Sequence, residues 1–132
     1  MRNRAALLIL VLLTCFSTAS FAATKNVKKA VADEKAIRAV WEDMRTALAS
    51  GDVEGAVGYF STYTRAAYRM QFKYYEEHGT LKKAAAELGH IQTVLVRGDT
   101  AIAGIRTLKF SMNVSYTMSF VKEKGVWKIE SL

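Results

Sequence analysis

Ser111-Met112-Asn113-Val114-Ser115-Tyr116-Thr117-Met118-Ser119-Phe120-Val121 alternates without a break. Met112, Val114, Tyr116, Met118 and Phe120 carry one apolar face, and Ser111, Asn113, Ser115, Thr117 and Ser119 carry one polar face. A period of two with one greasy side is the pattern of a half-buried antiparallel strand. Lys122-Glu123-Lys124-Gly125 turns the chain, and Val126 to Ser131 returns as a last strand. Upstream, Ile91 to Arg97 reads as a strand, Gly98-Asp99 as a turn, and Thr100 to about Phe110 as the next strand. The turns are short, so neighbours in sequence should be neighbours in a meander.

Before Gly89 the period is that of a helix. Ile37, Val40, Trp41, Met44 and Leu48 fall on one side of a segment that Asp33 would cap and Ser50 would end. Glu34, Arg38 and Glu42 make a ladder on another side. Gly51 stops this helix and Asp52 caps a short second one bearing Ala56, Val57 and Phe60. A third helix runs from Tyr63 to about His78, after Ser61 or Thr62. His78-Gly79-Thr80 ends it and starts a fourth, with Leu81, Ala84, Ala85 and Leu88 in register and Gly89 as its close. Helices first and strands afterwards predict an α+β fold: three to four N-terminal helices packed on a curved four-stranded antiparallel meander sheet.

The start of the chain has another character. Met1-Arg2-Asn3-Arg4 is basic, Ala5 to Leu13 is apolar, and small residues follow to Ala22-Ala23. That order is a secretory signal, with Ser20 and Ala22 at the −3 and −1 positions of a cleavage after Ala22. The apolar run is too short for a bilayer span, which takes about 20 residues. Residues 1–22 are therefore expected to be a cleaved signal peptide and residues 23–132 one domain, periplasmic or secreted, with no stable transmembrane span. Leu12-Leu13-Thr14-Cys15 is a competing lipoprotein site, weakened by Thr14 where Gly, Ala or Ser normally stands. After cleavage at Ala22 no cysteine remains for a disulfide or a nucleophile. Arg2 and Arg4 leave with the signal, so 17 of the 19 basic residues remain against 12 acidic ones and the formal charge falls from +7 to +5. Export argues against a nucleic-acid partner for this basic surface.

Two segments resemble a known family. Val40-Trp41 through Ala47-Leu48-Ala49-Ser50-Gly51-Asp52-Val53-Glu54-Gly55-Ala56-Val57, and the ending Phe120-Val121 … Gly125-Val126-Trp127-Lys128-Ile129-Glu130-Ser131-Leu132, look like nuclear transport factor two-like domains. These cone-shaped, SnoaL-like α+β folds include polyketide cyclases, ketosteroid isomerase and scytalone dehydratase. The likeness, to an exported bacterial type, spans most of residues 23–132 in order. It implies that Trp41 packs into the concave sheet face, with Trp127 and Ile129 pointing in from the last strand. The family's sheet usually has one or two more strands before the third helix, so this cone is expected to be smaller or shallower.

Enzymes of that superfamily place an acid, a histidine or a tyrosine inside the cone, so ionisable residues on apolar faces are the ones to seek. Asp33, Glu34, Asp52, Asp99 and Glu123 fall at helix starts and turns, and Glu42, Asp43, Glu76, Glu77 and Glu130 fall off the apolar faces. His78 and His90 lack metal-ligand spacing. No metal and no cofactor is expected. Asn113-Val114-Ser115 is a glycosylation sequon in mid-strand, relevant only in a glycosylating pathway. Tyr116 on the apolar face would need a partner for its hydroxyl. Arg106 alternates with Ile102, Gly104 and Leu108, and is an anion anchor if that side faces the cone and a solvated residue if it does not. Candidate pocket residues are Trp41, Tyr63, Phe72, Arg106, Met112, Tyr116, Met118 and Trp127. The expectation is a non-enzymatic exported module that binds a small apolar or amphipathic molecule, or a protein partner, in its concave face, with a homodimer left open. The alternative is an isomerase-, dehydratase- or cyclase-like enzyme using Tyr116 with Arg106.

Overall fold

The computed structural model describes residues 4–109 and 112–132, and the side chains of residues 22–107 and 112–132. The basic start at residues 1–3 and the strand residues Phe110 and Ser111 lie outside the described residues. Two compact units are present, Met1–Asp33 and Glu34–Leu132. Among the described residues no helix is long and apolar enough to cross a membrane.

Four helices precede four strands: α1 (Arg4–Ser50), α2 (Val53–Val57), α3 (Arg65–Glu77), α4 (Leu81–Glu87), β1 (His90–Arg97), β2 (Thr100–Lys109), β3 (Met112–Glu123) and β4 (Val126–Ser131). The sheet order is β1-β2-β3-β4 with every pair antiparallel. This is the α+β meander that the alternation of β3 predicts. The start of α1 differs from expectation. Asp33 lies inside the helix and does not cap it. No glycine or proline interrupts residues 4–50, and the alanines and lysines before Asp33 are good helix formers, so nothing local stops the helix there.

The signals around α2 act as read, whereas α3 starts at Arg65 instead of Tyr63 and Thr80 precedes α4 without a side-chain capping bond. Gly51 takes φ +84°, the left-handed value that glycine adopts without strain, and ends α1. The Asp52 carboxylate accepts the Gly55 N–H at 2.8 Å and caps α2. The Ser61 hydroxyl accepts the Thr64 N–H at 3.3 Å where α3 begins. The charge ladder on α1 is re-routed: Arg38 pairs with Glu34 at 2.8 Å, but its Nη1 donates to the Ile91 carbonyl of β1 at 2.7 Å rather than to Glu42.

Ile37, Trp41, Met44 and Leu48 of α1 are buried against Ala103, Ile105, Met118, Phe120, Trp127 and Ile129 of the sheet. Odd residues of β2 and even residues of β3 thus face the helices. Among the described residues one isolated parallel bridge, Phe60 to Ile129, meets the β4 edge, with Ile129 N–H donating to Tyr59 O at 2.9 Å and Ser61 N–H to Ile129 O at 2.8 Å. That bridge stands where a longer sheet would continue. The loop leaving it is held by Glu123 at the end of β3, whose carboxylate accepts the Thr62 N–H at 2.8 Å and the Thr62 hydroxyl at 3.0 Å.

Candidate functional site

The inner face of β3 is not evenly covered. Met112 at its start is 64% exposed, Val114 and Tyr116 are half-buried, and Met118 and Phe120 are buried. The interior is therefore packed at one end and open at the other. At the open end lies a cavity of about 270 Å³. Leu48 enters it from α1, Gln71, Phe72 and Tyr75 from α3, and Ala84, Glu87 and Leu88 from α4 and the turn after it. Thr107 of β2, Val114 and Tyr116 of β3, and Leu132 close the sheet side. The volume lies just below the range of about 300–1,000 Å³ for small-molecule sites, and the walls combine apolar side chains with the polar groups of Gln71, Tyr75, Glu87, Thr107 and Tyr116.

Each wall is fixed by the local chain. Phe72 is buried and packs edge-on against Phe60, with ring centroids 5.7 Å apart, while Tyr68 stacks on Phe60 at 4.2 Å. The Tyr68 hydroxyl accepts the Leu132 N–H at 2.7 Å, which ties the chain's last residue to α3. Gln71 Nε2 donates to the Tyr75 hydroxyl at 3.3 Å. The end of α4 is stitched to the sheet by Thr107, whose hydroxyl donates to the Glu87 carbonyl at 2.7 Å. Next to it the Trp41 indole N–H donates to the Gly89 carbonyl at 2.9 Å. A Cβ at Gly89 would run into the Arg106 carbonyl, so only glycine lets the chain pass this close to β2.

Tyr116 is the polar group best placed to act in the cavity. Burial pushes its hydroxyl above the ordinary phenol value, opposed by a hydrogen bond with the Gly89 backbone and by the Arg45 guanidinium. It is therefore a neutral phenol at physiological pH, able to donate its proton to a ligand. Arg45 is itself held by Glu42 at 2.6 Å and lies 3.0 Å from His90 Nδ1, outside the cavity wall.

The structure brings together two of the residues expected at a pocket, Phe72 and Tyr116. Trp41, Met118 and Trp127 are buried and fill the packed end, with Lys122 Nζ 4.7 Å over the Trp127 ring. Met112 is displaced from the site because β3 begins beyond the cover of the helices. Tyr63 is 90% exposed before the first turn of α3 and is not among the cavity's walls. Arg106 takes the outer face of the sheet, opposite the buried Ile105, and borders a more open depression above Gly104 with Thr93, Ser115 and Thr117. The anion-anchor reading of Arg106 inside the cone is thereby corrected: β2 presents its odd residues to the helices. The other nine wall residues were not among the expected pocket residues, and Glu87 is the charged one of them. It lies three residues after Ala84 and beside Leu88, on the flank of the apolar stripe of α4, and that spacing was the available signal. Among the described residues no group of three or more metal-ligating side chains exists.

No protein-family model matches the sequence, and no curated protein matches it. Solved structures do. An NTF-2 like protein of unknown function from Shewanella oneidensis MR-1 superposes with a TM-score of 0.51 at 15% identity, over 74% of this chain and 93% of that one. An NTF2-like protein from Campylobacter jejuni superposes with a TM-score of 0.43 at 15% identity, over 67% of this chain and 92% of that one. The helix order, the four-stranded antiparallel meander and the first of these superpositions agree, and the chain has the nuclear transport factor two-like fold.

Proposed function

We propose that this protein is an exported, non-enzymatic binding module that holds a small apolar or amphipathic molecule in the cavity between α1, α3, α4 and β3. The observation that carries the reading is the half-open interior. Trp41, Met118 and Trp127 fill one end of the cone, while Leu48, Phe72, Leu88 and Val114 wall an apolar space at the other. The space opens to solvent, and apolar side chains left to line such an opening are the surface that a small apolar guest would cover. Tyr116 supplies a neutral hydrogen-bond donor to orient the guest. Export rests on the order of residues 1–22, with the domain following Ala22 in the periplasm or the medium. Screening the full chain against apolar and amphipathic compounds, with Tyr116→Phe as control, tests the binding role. Binding weakened severalfold by the loss of the hydroxyl supports it, and no binding by any compound contradicts it.

A second reading is favoured by one arrangement: Glu87 and Tyr116 line the same cavity. A carboxylate and a phenol on one apolar space are the parts of an isomerase-, dehydratase- or cyclase-like site, with Glu87 in the place that Arg106 does not fill. Turnover of a bound compound that disappears in both Glu87→Gln and Tyr116→Phe would select this reading over the first.

A further inference from the structure

We propose that the outer face of the sheet carries a second binding site, a seat for a small monocarboxylate built around Gly104 and Arg106. In the strand register Thr93, Gly104 and Thr117 stand side by side on β1, β2 and β3, and Arg106 stands opposite Ser115. They belong to the face turned away from the helices, since the alternating Ala103, Ile105 and Met118 are buried. Together they line an open depression of about 300 Å³. Its floor is the side chain that Gly104 does not have.

The groups around this floor suit an anion. Thr93 Oγ1 lies 2.7 Å from the place that a Cβ on Gly104 would take, so this hydroxyl leans over the glycine into the space. Ser115 and Thr117 bring two more hydroxyls, each able to donate to an anionic oxygen. Arg106 is exposed beside them and is the one charged side chain among the described residues of the wall. Among the described residues no hydrogen bond or ion pair engages its guanidinium, in contrast to Arg38, Arg45, Arg65 and Arg69. One guanidinium balances one negative charge, and its planar fork takes the two oxygens of a carboxylate side by side. On the next rung Leu95 and Ile102 pair, each 54% exposed, and offer apolar surface to a short tail.

The test compares benzoate with benzamide, a neutral molecule of the same shape, by methyl NMR titration of the full chain at pH 7. Benzoate should give saturable shifts at the Thr93 and Ile102 methyl groups. It should bind about tenfold tighter than benzamide, the difference that charge-assisted hydrogen bonds make. Arg106→Gln should abolish that preference. Gly104→Ala keeps the charge but sets a methyl group against the Thr93 hydroxyl. It should weaken benzoate about threefold, the worth of one lost hydrogen bond. Unchanged resonances of Ile37 and Ile129 verify the fold of both variants. Equal binding of the two probes, a preference that survives Arg106→Gln, or undiminished benzoate binding in Gly104→Ala overturns the site. Benzoate shifts confined to Leu48 and Leu88 overturn it too, because they send the carboxylate to the inner cavity.

Discussion

Trp41 and Gly89 are joined by a hydrogen bond of 2.9 Å from the indole N–H to the backbone carbonyl, across 48 positions of sequence. The same Gly89 backbone faces the Tyr116 hydroxyl, where it draws the phenol's pKa down against the effect of burial. One glycine, at the point where the last helix becomes the first strand, therefore links the buried anchor of α1 to the polar group of the cavity. The packed and open ends of the cone meet at this residue.

Trp41 is fully buried, so Trp41→Ala removes a large side chain and orphans the Gly89 carbonyl. Denaturant unfolding should show a loss of about 3–5 kcal/mol. Trp41→Phe keeps most of the packing and should lose about 1–3 kcal/mol, chiefly for the unsatisfied acceptor. A loss below about 1 kcal/mol in Trp41→Ala would contradict the role of this residue as the anchor.

Gly89→Ala places a methyl group against the Arg106 carbonyl and the Thr107 side chain. Backbone must move, and a cost of about 1–3 kcal/mol is expected, as for other overpacked sites. The loop cannot move alone, because Trp41 and Thr107 hold it from two sides. The Tyr116 hydroxyl faces the Gly89 backbone, so its ring resonances should shift in this variant. Unchanged stability and unchanged Tyr116 resonances would show that the turn has room that the geometry denies.

Much of this arrangement is legible in the sequence. The alternation from Met112 to Phe120 predicts which face of β3 is inward, and the spacing of Ile37, Trp41, Met44 and Leu48 predicts the face of α1 that covers it. Both follow from local periodicity, which the backbone geometry of strand and helix imposes directly. Where that cover stops is not local. Met112 and Met118 share one face of one strand, yet one is exposed and the other buried, because the extent of the helix layer is set by tertiary packing. Arg106 was ambiguous for a similar reason: β2 is apolar on both faces, with Ala101, Ala103 and Ile105 on one and Ile102 on the other, so alternation alone does not choose. Glu87 went unnoticed because a charge beside an apolar stripe usually points to water.

Glu123 gives a pH prediction. Its carboxyl is held below the ordinary glutamate value of 4.5, first by the Thr62 backbone N–H, against an opposing desolvation that is the next largest effect, and then by the Thr62 hydroxyl, Arg65 and Lys128. A folded value lower than the unfolded one means stability that is present above the unfolded value and lost as pH falls through the folded one. Glu123→Gln should therefore melt lower than the unaltered chain at pH 7, and the two should converge as the pH is lowered below 4. A constant difference down to pH 3 would place the effect in something other than this carboxylate.

Processing is tested by exporting the full chain from a bacterial cell and sequencing the mature amino terminus. The order of residues 1–22 predicts a mature protein beginning at Ala23. A lipid-modified Cys15 at the amino terminus, or retention of Met1, would contradict it.

The central claim is that the open end of the cone receives a guest. Its most direct measurement is a methyl NMR titration of the full chain with 1-naphthylmethanol, run in parallel on Ala84→Trp, whose indole would occupy the cavity from α4. Saturable shifts are expected at Leu48, Leu88 and Val114 in the unaltered chain and none in Ala84→Trp, with the fold of that variant verified by the unchanged resonances of Ile37 and Ile129. Shifts confined to Leu95 and Ile102 on the outer sheet face, or equal binding by Ala84→Trp, would contradict it.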